Sequence, residues 1–363
     1  MDSMKKVISL GGGEPEYRTP GHIVDAMKRA MDEGYTHYGD FRHIPELREA
    51  VAARYRRMGV EVDAERVIIT PGSTMGIYMA YKALMEPGEE FLTMDPCFFG
   101  YYDSVDLLGV KPVTVPRYKE EGWRLHVEDL YGACSPRTRA LLICSPDNPT
   151  GAVLKDAELK EIADFAEEKD LIVISDEIYD EITYDGVKAR SIASLPGMAE
   201  RTLILNGLSK AYAMTGWRVG YMVAPNEALY KKLFSIQMAT YLVVNAALQW
   251  ASVAALTGPQ DCVREMVRGY REKRDYCLDR WSEVLKARVT KPDGAFYLFP
   301  DLSAYGCSSK KMAEYLRGEA RVGLTPGYVF GGRGEGHVRN AYAQSMADLE
   351  EGLDRVKKAL GKL

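Results

Sequence analysis

Ala140-Leu141-Leu142-Ile143-Cys144 and Leu171-Ile172-Val173-Ile174-Ser175 are two short apolar runs, and Lys155–Lys169 lies between them. In that intervening stretch Leu159, Ile162, Ala163, Phe165 and Ala166 recur at helical spacing, with charges at most other positions. Strands that are apolar along their whole length are buried on both faces, and parallel neighbours need a crossover that a helix can supply. Working outward, the alternation continues. Further strands are predicted at Val67–Thr70, Phe91–Met94, Leu203–Asn206 and Val219–Val223. A helix is predicted from Ser73, ending before the breaker Pro87-Gly88. The expected fold is therefore α/β, with a mostly parallel, doubly wound sheet in a large domain over residues 44–259. Residues 1–43 and 260–363 are expected to form a smaller α+β domain. In it we predict a strand at Ala295–Phe299, a helix around Ser309–Arg317 and a long terminal helix from Met346. A chain of 363 residues exceeds the roughly 250–300 at which single cores stop growing, which also favours two domains.

Bulk properties remove several function classes. The net charge is −5 with both signs mixed, and no basic block offers nucleic acid a footprint. The opening MDSMKK and the short run Val7–Leu10 are too brief for a signal peptide, and no stretch reaches the length of a membrane span. Six dispersed cysteines without a CxxC pair suggest neither disulfides nor zinc, and five histidines without HExxH spacing make metal hydrolysis a poor reading. The expectation is a cytoplasmic protein with reduced thiols and no metal site.

Four segments look chemical. Ser209-Lys210 follows a buried-looking strand, with Arg218 eight positions later and Gly220 opening the next strand. A lysine there is ordinarily solvated, but a partly desolvated amine is a nucleophile and a nearby arginine offers a fork for phosphate. Thr70-Pro71-Gly72-Ser73-Thr74 joins a strand to a helix; it reads as a plain cap or as a phosphate cradle of free N–H groups and hydroxyls. Ser145-Pro146-Asp147-Asn148-Pro149-Thr150-Gly151 is a turn at a strand's C-terminal end, where open sheets bind ligands. Ile172–Tyr179 carries Asp176 to the end of a buried strand, where a carboxylate is costly unless it caps a helix or meets a cation.

Together these segments resemble the class I and II aminotransferases of the aspartate-aminotransferase fold, which are fold type I pyridoxal-phosphate enzymes. The likeness runs from Gly11-Gly12-Gly13-Glu14-Pro15-Glu16 to the terminal helix, and Ser209–Gly220 is its most specific part. It implies pyridoxal 5′-phosphate as cofactor, bound by the large domain, and transfer of an amino group from an L-amino acid to a 2-oxo acid such as 2-oxoglutarate. By resemblance, Lys210 carries the cofactor as a Schiff base and later moves the Cα proton, Asp176 pairs with the pyridine nitrogen, and Tyr179 and Asn148 face the phenolic oxygen. Ser73, Thr74, Ser209 and Arg218 take the phosphate, joined by Tyr38 from the neighbouring subunit of a homodimer. Phe98 stacks on the ring. Arg339 clamps the substrate carboxylate, with Asn148 and Gly13 beside it.

Three positions depart from the family's pattern. Gly207 stands where many relatives carry a hydroxyl, His43 stands where glycine is usual, and Ile236–Asn245 lacks a Ser/Thr-Pro-rich pattern. We read His43 as a surface residue or as a modifier of substrate access. Lys82 on the helix after Ser73 is a candidate for a distal substrate carboxylate, and Tyr17, Tyr38 and Tyr241 for an aromatic pocket; both also read as solvated or packing residues. Aspartate and aromatic amino acids are the leading donors. The same fold also allows a carbon–sulfur β-lyase and, remotely, a non-catalytic sensing domain of the kind joined to a helix-turn-helix, for which no room exists before Gly11.

Overall fold

The computed structural model describes residues 6–363; Met1–Lys5, the start of the stretch read above as too short for a leader, lie outside the described residues. The thirteen strands among them are β1 (Ile8–Ser9), β2 (Val67–Thr70), β3 (Glu90–Asp95), β4 (Lys111–Tyr118), β5 (Arg124–Leu125), β6 (Thr138–Cys144), β7 (Ile172–Asp176), β8 (Thr202–Gly207), β9 (Gly220–Val223), β10 (Tyr297–Leu298), β11 (Val322–Gly323), β12 (Thr325–Pro326) and β13 (Val338–Ala341). Eight of them make one sheet in the order β2-β9-β8-β7-β6-β3-β4-β5. The block β8-β7-β6-β3-β4 is parallel throughout, while β9 runs antiparallel to both β2 and β8. All six predicted strands of this region are present. β4 and the two-residue edge strand β5 beside it were not anticipated; the burial of β4 is irregular and two prolines interrupt it.

This topology decides where chemistry can occur. The parallel block and β2 all end on one edge of the sheet, and β9 begins there because it runs the other way. Asp176, Gly207, Thr70 and Gly220 therefore lie side by side, with Asp176 next to Leu205, and Gly220 facing both Thr70 and Gly207. Close approach at this edge leaves no room for side chains on the glycines. A Cβ on Gly220 would come within 2.6 Å of the Ser73 nitrogen, and one on Gly207 within 3.0 Å of the Val219 oxygen. The missing hydroxyl at position 207 thus goes with tight strand packing.

The helix Ser73–Leu84 buries Gly76, Ile77 and Ala80 toward this sheet, where a Cβ on Gly76 would touch Leu205 and Met222. Burying Ile77 alone is worth roughly 2 kcal/mol, more than its weak helix propensity costs. The helix Asp156–Glu168 follows the predicted bounds within a residue. Among the rest, β10 pairs with β13 and β13 with β12, and β1 pairs with β11. The N-terminal segment is tied to both regions: β1 joins β11, while the helix Gly21–Asp32 packs along the helix Ala246–Thr257. The predicted strand Ala295–Phe299 is shorter than expected, limited to Tyr297–Leu298, and the helix from Ser309 passes into a wider turn at Leu316–Ala320. The terminal helix, Met346–Leu360, starts where predicted.

His43 corrects the surface reading. It is fully buried, holds a left-handed φ of 67°, and its Nε2 accepts a hydrogen bond from the Val244 N–H at 3.1 Å. A left-handed backbone is what glycine adopts without cost, which explains the usual preference at this position.

Candidate active site

Five segments converge on the sheet edge just described. Asp176 closes β7, Asn148 lies in the turn after β6, Phe98 follows β3, Lys210 follows β8, and Ser73 and Thr74 open the helix after β2. Arg218 precedes β9 in a left-handed conformation, with φ 57°. Its guanidinium lies so near Gly72 that a Cβ there would meet Nη2 at 2.5 Å, so residue 72 must be glycine for both steric and conformational reasons. From the C-terminal part, β13 brings Arg339, and from the N-terminal segment comes Gly13. They enclose a cavity of about 270 Å³.

Among the described residues, Lys210, Arg218 and Arg339 are the cations lining that cavity, and Asp176 is its one carboxylate. Lys210 Nζ donates to the Gly13 carbonyl at 2.6 Å. Burial, then the neighbouring charges of Arg339 and Arg218, push its ammonium down to about 8. Asp176 is buried, and burial pushes its carboxyl up to about 6 against the opposing hydrogen bond from Tyr101. Its oxygens accept from the Tyr101 hydroxyl at 2.8 Å and from the Ile178 N–H at 3.2 Å, and neither donor is a cation. Arg339 donates to Asn148 Oδ1 at 2.7 Å and to the Gly11 carbonyl at 2.6 Å, and its guanidinium carbon lies 4.4 Å from the Tyr297 ring and 4.9 Å from that of Phe330.

The cavity brings together eleven of the twelve residues singled out from the sequence: Gly13, Ser73, Thr74, Phe98, Asn148, Asp176, Tyr179, Ser209, Lys210, Arg218 and Arg339. The twelfth, Tyr38, is 77% exposed and sits instead by a second hollow beside Val243–Ala246. Three side chains for which the sequence left a substrate role open take the solvated or packing reading instead. Lys82 is exposed and does not line the cavity. It lies nine residues after Ser73, about half a revolution round the helix, whereas Ile77 lies on the cavity side. Tyr17 packs edge-on against Tyr270, and the Tyr241 hydroxyl is spent on the Ile69 carbonyl. None of Ile236–Asn245 reaches the cavity of its own chain. Reading the sequence missed Tyr101 and Tyr297, two wall residues whose hydroxyls bond Asp176 and Tyr179.

A flat, cationic ring carrying a phosphate and an aldehyde fits these donors. The amine of Lys210 suits the aldehyde, and Asp176, whose donors are the Tyr101 hydroxyl and the Ile178 N–H, would gain a hydrogen-bonded cation from a ring N–H. The free N–H groups of the helix opening at Ser73, with Ser209 and Arg218, suit the phosphate.

The profile of the family described as aminotransferase class I and II matches residues 5–356. The aromatic-amino-acid aminotransferase 2 of Thermococcus litoralis is 45% identical over 98% of this chain and 92% of its own length. The aspartate aminotransferase of Pyrococcus abyssi is 44% identical, covering 98% and 92% respectively. The crystal structure of an aromatic aminotransferase from Pyrococcus horikoshii superposes with a TM-score of 0.96 at 43% identity, covering 99% of this chain and 96% of that one.

Proposed function

The chain belongs to the class I and II aminotransferases, pyridoxal-phosphate enzymes that pass an amino group from an amino acid to a 2-oxo acid, and from that premise we propose which of its residues do the work. The observation that carries the assignment is the single enclosed site where Lys210, Arg218 and Arg339 meet Asp176. Lys210 Nζ would hold the cofactor through its amine and would serve as the base that takes and returns the proton at the substrate Cα. When bound, the cofactor supplies an electron sink for the carbanion at Cα. Asp176 would pair with the ring nitrogen, Tyr179 and Asn148 would face the phenolic oxygen, and Phe98 would pack on the ring. Ser73, Thr74, Ser209 and Arg218 hold the phosphate. Arg339, positioned by Asn148 and Gly11, takes the substrate carboxylate beside Gly13 and so fixes which Cα bond stands across the ring. Residues 44–259 hold the cofactor in this reading, and residues 1–43 and 260–363 carry Gly13 and Arg339 to the substrate.

Among the described residues, no fourth cation lines the cavity to meet a second substrate carboxylate, while Phe98, Phe99 and Tyr297 do line it. That favours aromatic donors over aspartate within one chain, and related proteins bear both names. The enzyme works as a homodimer, with Tyr38 lent to the second copy's phosphate. It works in the cytoplasm; no helix among the described residues is long and apolar enough to cross a membrane.

The test begins with an absorbance spectrum of purified protein beside Lys210→Ala. A visible band is expected in wild type, and borohydride should fix the cofactor's mass on the peptide containing Lys210. L-Phenylalanine should bleach the band faster than L-aspartate. No chromophore after adding pyridoxal phosphate would sink the site assignment; a faster response to aspartate would reverse the donor preference.

A further inference from the structure

Tyr297 touches both halves of the site. In the ladder of β10 with β13, Tyr297 faces Ala341, which puts its side chain on the same face as Arg339 two positions away, at the diagonal that a long side chain can reach. Its ring lies 4.4 Å from the Arg339 guanidinium carbon. Its hydroxyl is 2.7 Å from that of Tyr179. A Cβ on Gly13 would run into the same hydroxyl, so the glycine leaves space for it. Tyr297 is 1% exposed and keeps its hydroxyl protonated, since burial raises its ionisation above the ordinary tyrosine range.

We propose that Tyr297 is a positioning residue that couples the cofactor end of the site to the carboxylate end. The inference rests on the reading of the site given above. A hydroxyl has one hydrogen to donate. If Tyr179 gives its hydrogen to the cofactor's ring oxygen, the contact with Tyr297 must run the other way, from the Tyr297 hydroxyl to the Tyr179 oxygen. The donated bond fixes the Tyr179 rotor and strengthens it as a donor, because chained hydrogen bonds polarise one another. The other end of the same side chain presents a π face to Arg339, in a site removed from water, where such a contact holds a guanidinium most firmly. The Phe330 ring, 4.9 Å from the same guanidinium carbon, adds a second aromatic contact.

Two substitutions separate the two contacts. Tyr297→Phe removes the hydroxyl and keeps the ring; Tyr297→Leu removes both. Each holoenzyme is titrated with pH while its visible absorbance is followed, and then titrated with 3-phenylpropanoate, a carboxylate with no amine to transfer. A weaker donor on the ring oxygen leaves its negative charge less stabilised, so the midpoint of the band should rise by about half a pH unit in both variants. Affinity for 3-phenylpropanoate should stay within about twofold of wild type in Tyr297→Phe and fall roughly 5- to 30-fold in Tyr297→Leu. A general packing defect would not produce that split. A wild-type midpoint in Tyr297→Phe, or equal carboxylate affinity in Tyr297→Leu and wild type, overturns the coupling while leaving the site assignment standing. A wild-type enzyme with no titrating band would overturn the assignment and the coupling together.

Discussion

A primary amine attacks a carbonyl only when its lone pair is free. Lys210 is held down to about 8 by burial and by the two neighbouring arginines, against 10.5 for an ordinary lysine. About a tenth of it is then neutral at pH 7, some three hundred times more than an unperturbed lysine would offer. The amine is protonated below that value, so cofactor uptake by the apoprotein should quicken about tenfold per pH unit up to 8 and then level off. Stopped-flow growth of the visible band measures this, and a rate flat from pH 6 to 9 would contradict it. Arg339 argues differently, through geometry. It makes two hydrogen bonds and contacts two aromatic rings, and a lysine could keep the charge but not the planar fork. Arg339→Lys is expected to lower kcat/KM by roughly 30- to 1,000-fold, the cost of one or two charge-assisted bonds, mostly through KM. Residues of this kind were legible because their signals are local: Ser209, Lys210 and Arg218 lie within ten positions, and Asp176 sits at the predicted end of a strand. Tyr101 and Tyr297 were not legible, since a tyrosine in an apolar stretch normally means packing and only the folded chain brings their hydroxyls to Asp176 and Tyr179.

Elements with a clear period were read almost to the residue, and those without one were not. β2 and the helix Met346–Leu360 begin where predicted because apolar spacing and capping agree there; Ser345 accepts from the Asp348 N–H. β4 was missed and β10 overextended, because an irregularly buried strand and a two-residue strand take their pairing from neighbours more than from their own pattern. His43 shows the same limit at the entry to the helix Pro45–Arg57. Only the folded chain reveals that its ring bonds Val244 and that its φ is positive. Burial pushes its imidazole down to about 4, below its unfolded value near 6.5. The folded state therefore binds fewer protons than the unfolded state between those limits. The stability of neutral His43 is present above about pH 6.5 and is lost as pH falls toward 4, at up to about 1.4 kcal/mol per pH unit. His43→Gly should remove this slope and relieve roughly 1 kcal/mol of backbone strain, against a similar loss from the bond to Val244. Urea unfolding at pH 7 and at pH 4.5 measures both: near-equal stability at pH 7, and a smaller drop than wild type at pH 4.5. A variant that loses as much as wild type between the two would show that another group sets the slope.

At the scale of the whole molecule, the segment from Met31 to Phe41 is where one chain looks incomplete. Met31, Tyr35, Tyr38 and Phe41 are all exposed, and Gln237 ties the Phe41 carbonyl to that of Leu242, another exposed apolar residue. Exposed apolar side chains gathered in one place mark a contact surface. Tyr38 cannot serve the cavity of its own chain, so the proposed homodimer requires it to serve the other. Twofold exchange of residues has a consequence that no single-chain site can imitate. Under the proposed arrangement Lys210→Ala should destroy the site of its own chain, and Tyr38→Phe should weaken the site of the partner. In a mixed dimer of the two, one site carries both lesions and the other carries neither. Random reassortment gives half mixed dimers, each with one intact site, so about a quarter of all sites should regain wild-type affinity for the cofactor. The mixture is unfolded, refolded together and assayed at limiting pyridoxal phosphate. A cofactor-binding curve with a tight phase of that size, absent from either parent, would establish that Tyr38 crosses the interface. A curve equal to the average of the two parents would place each site within one chain and leave Tyr38 outside it.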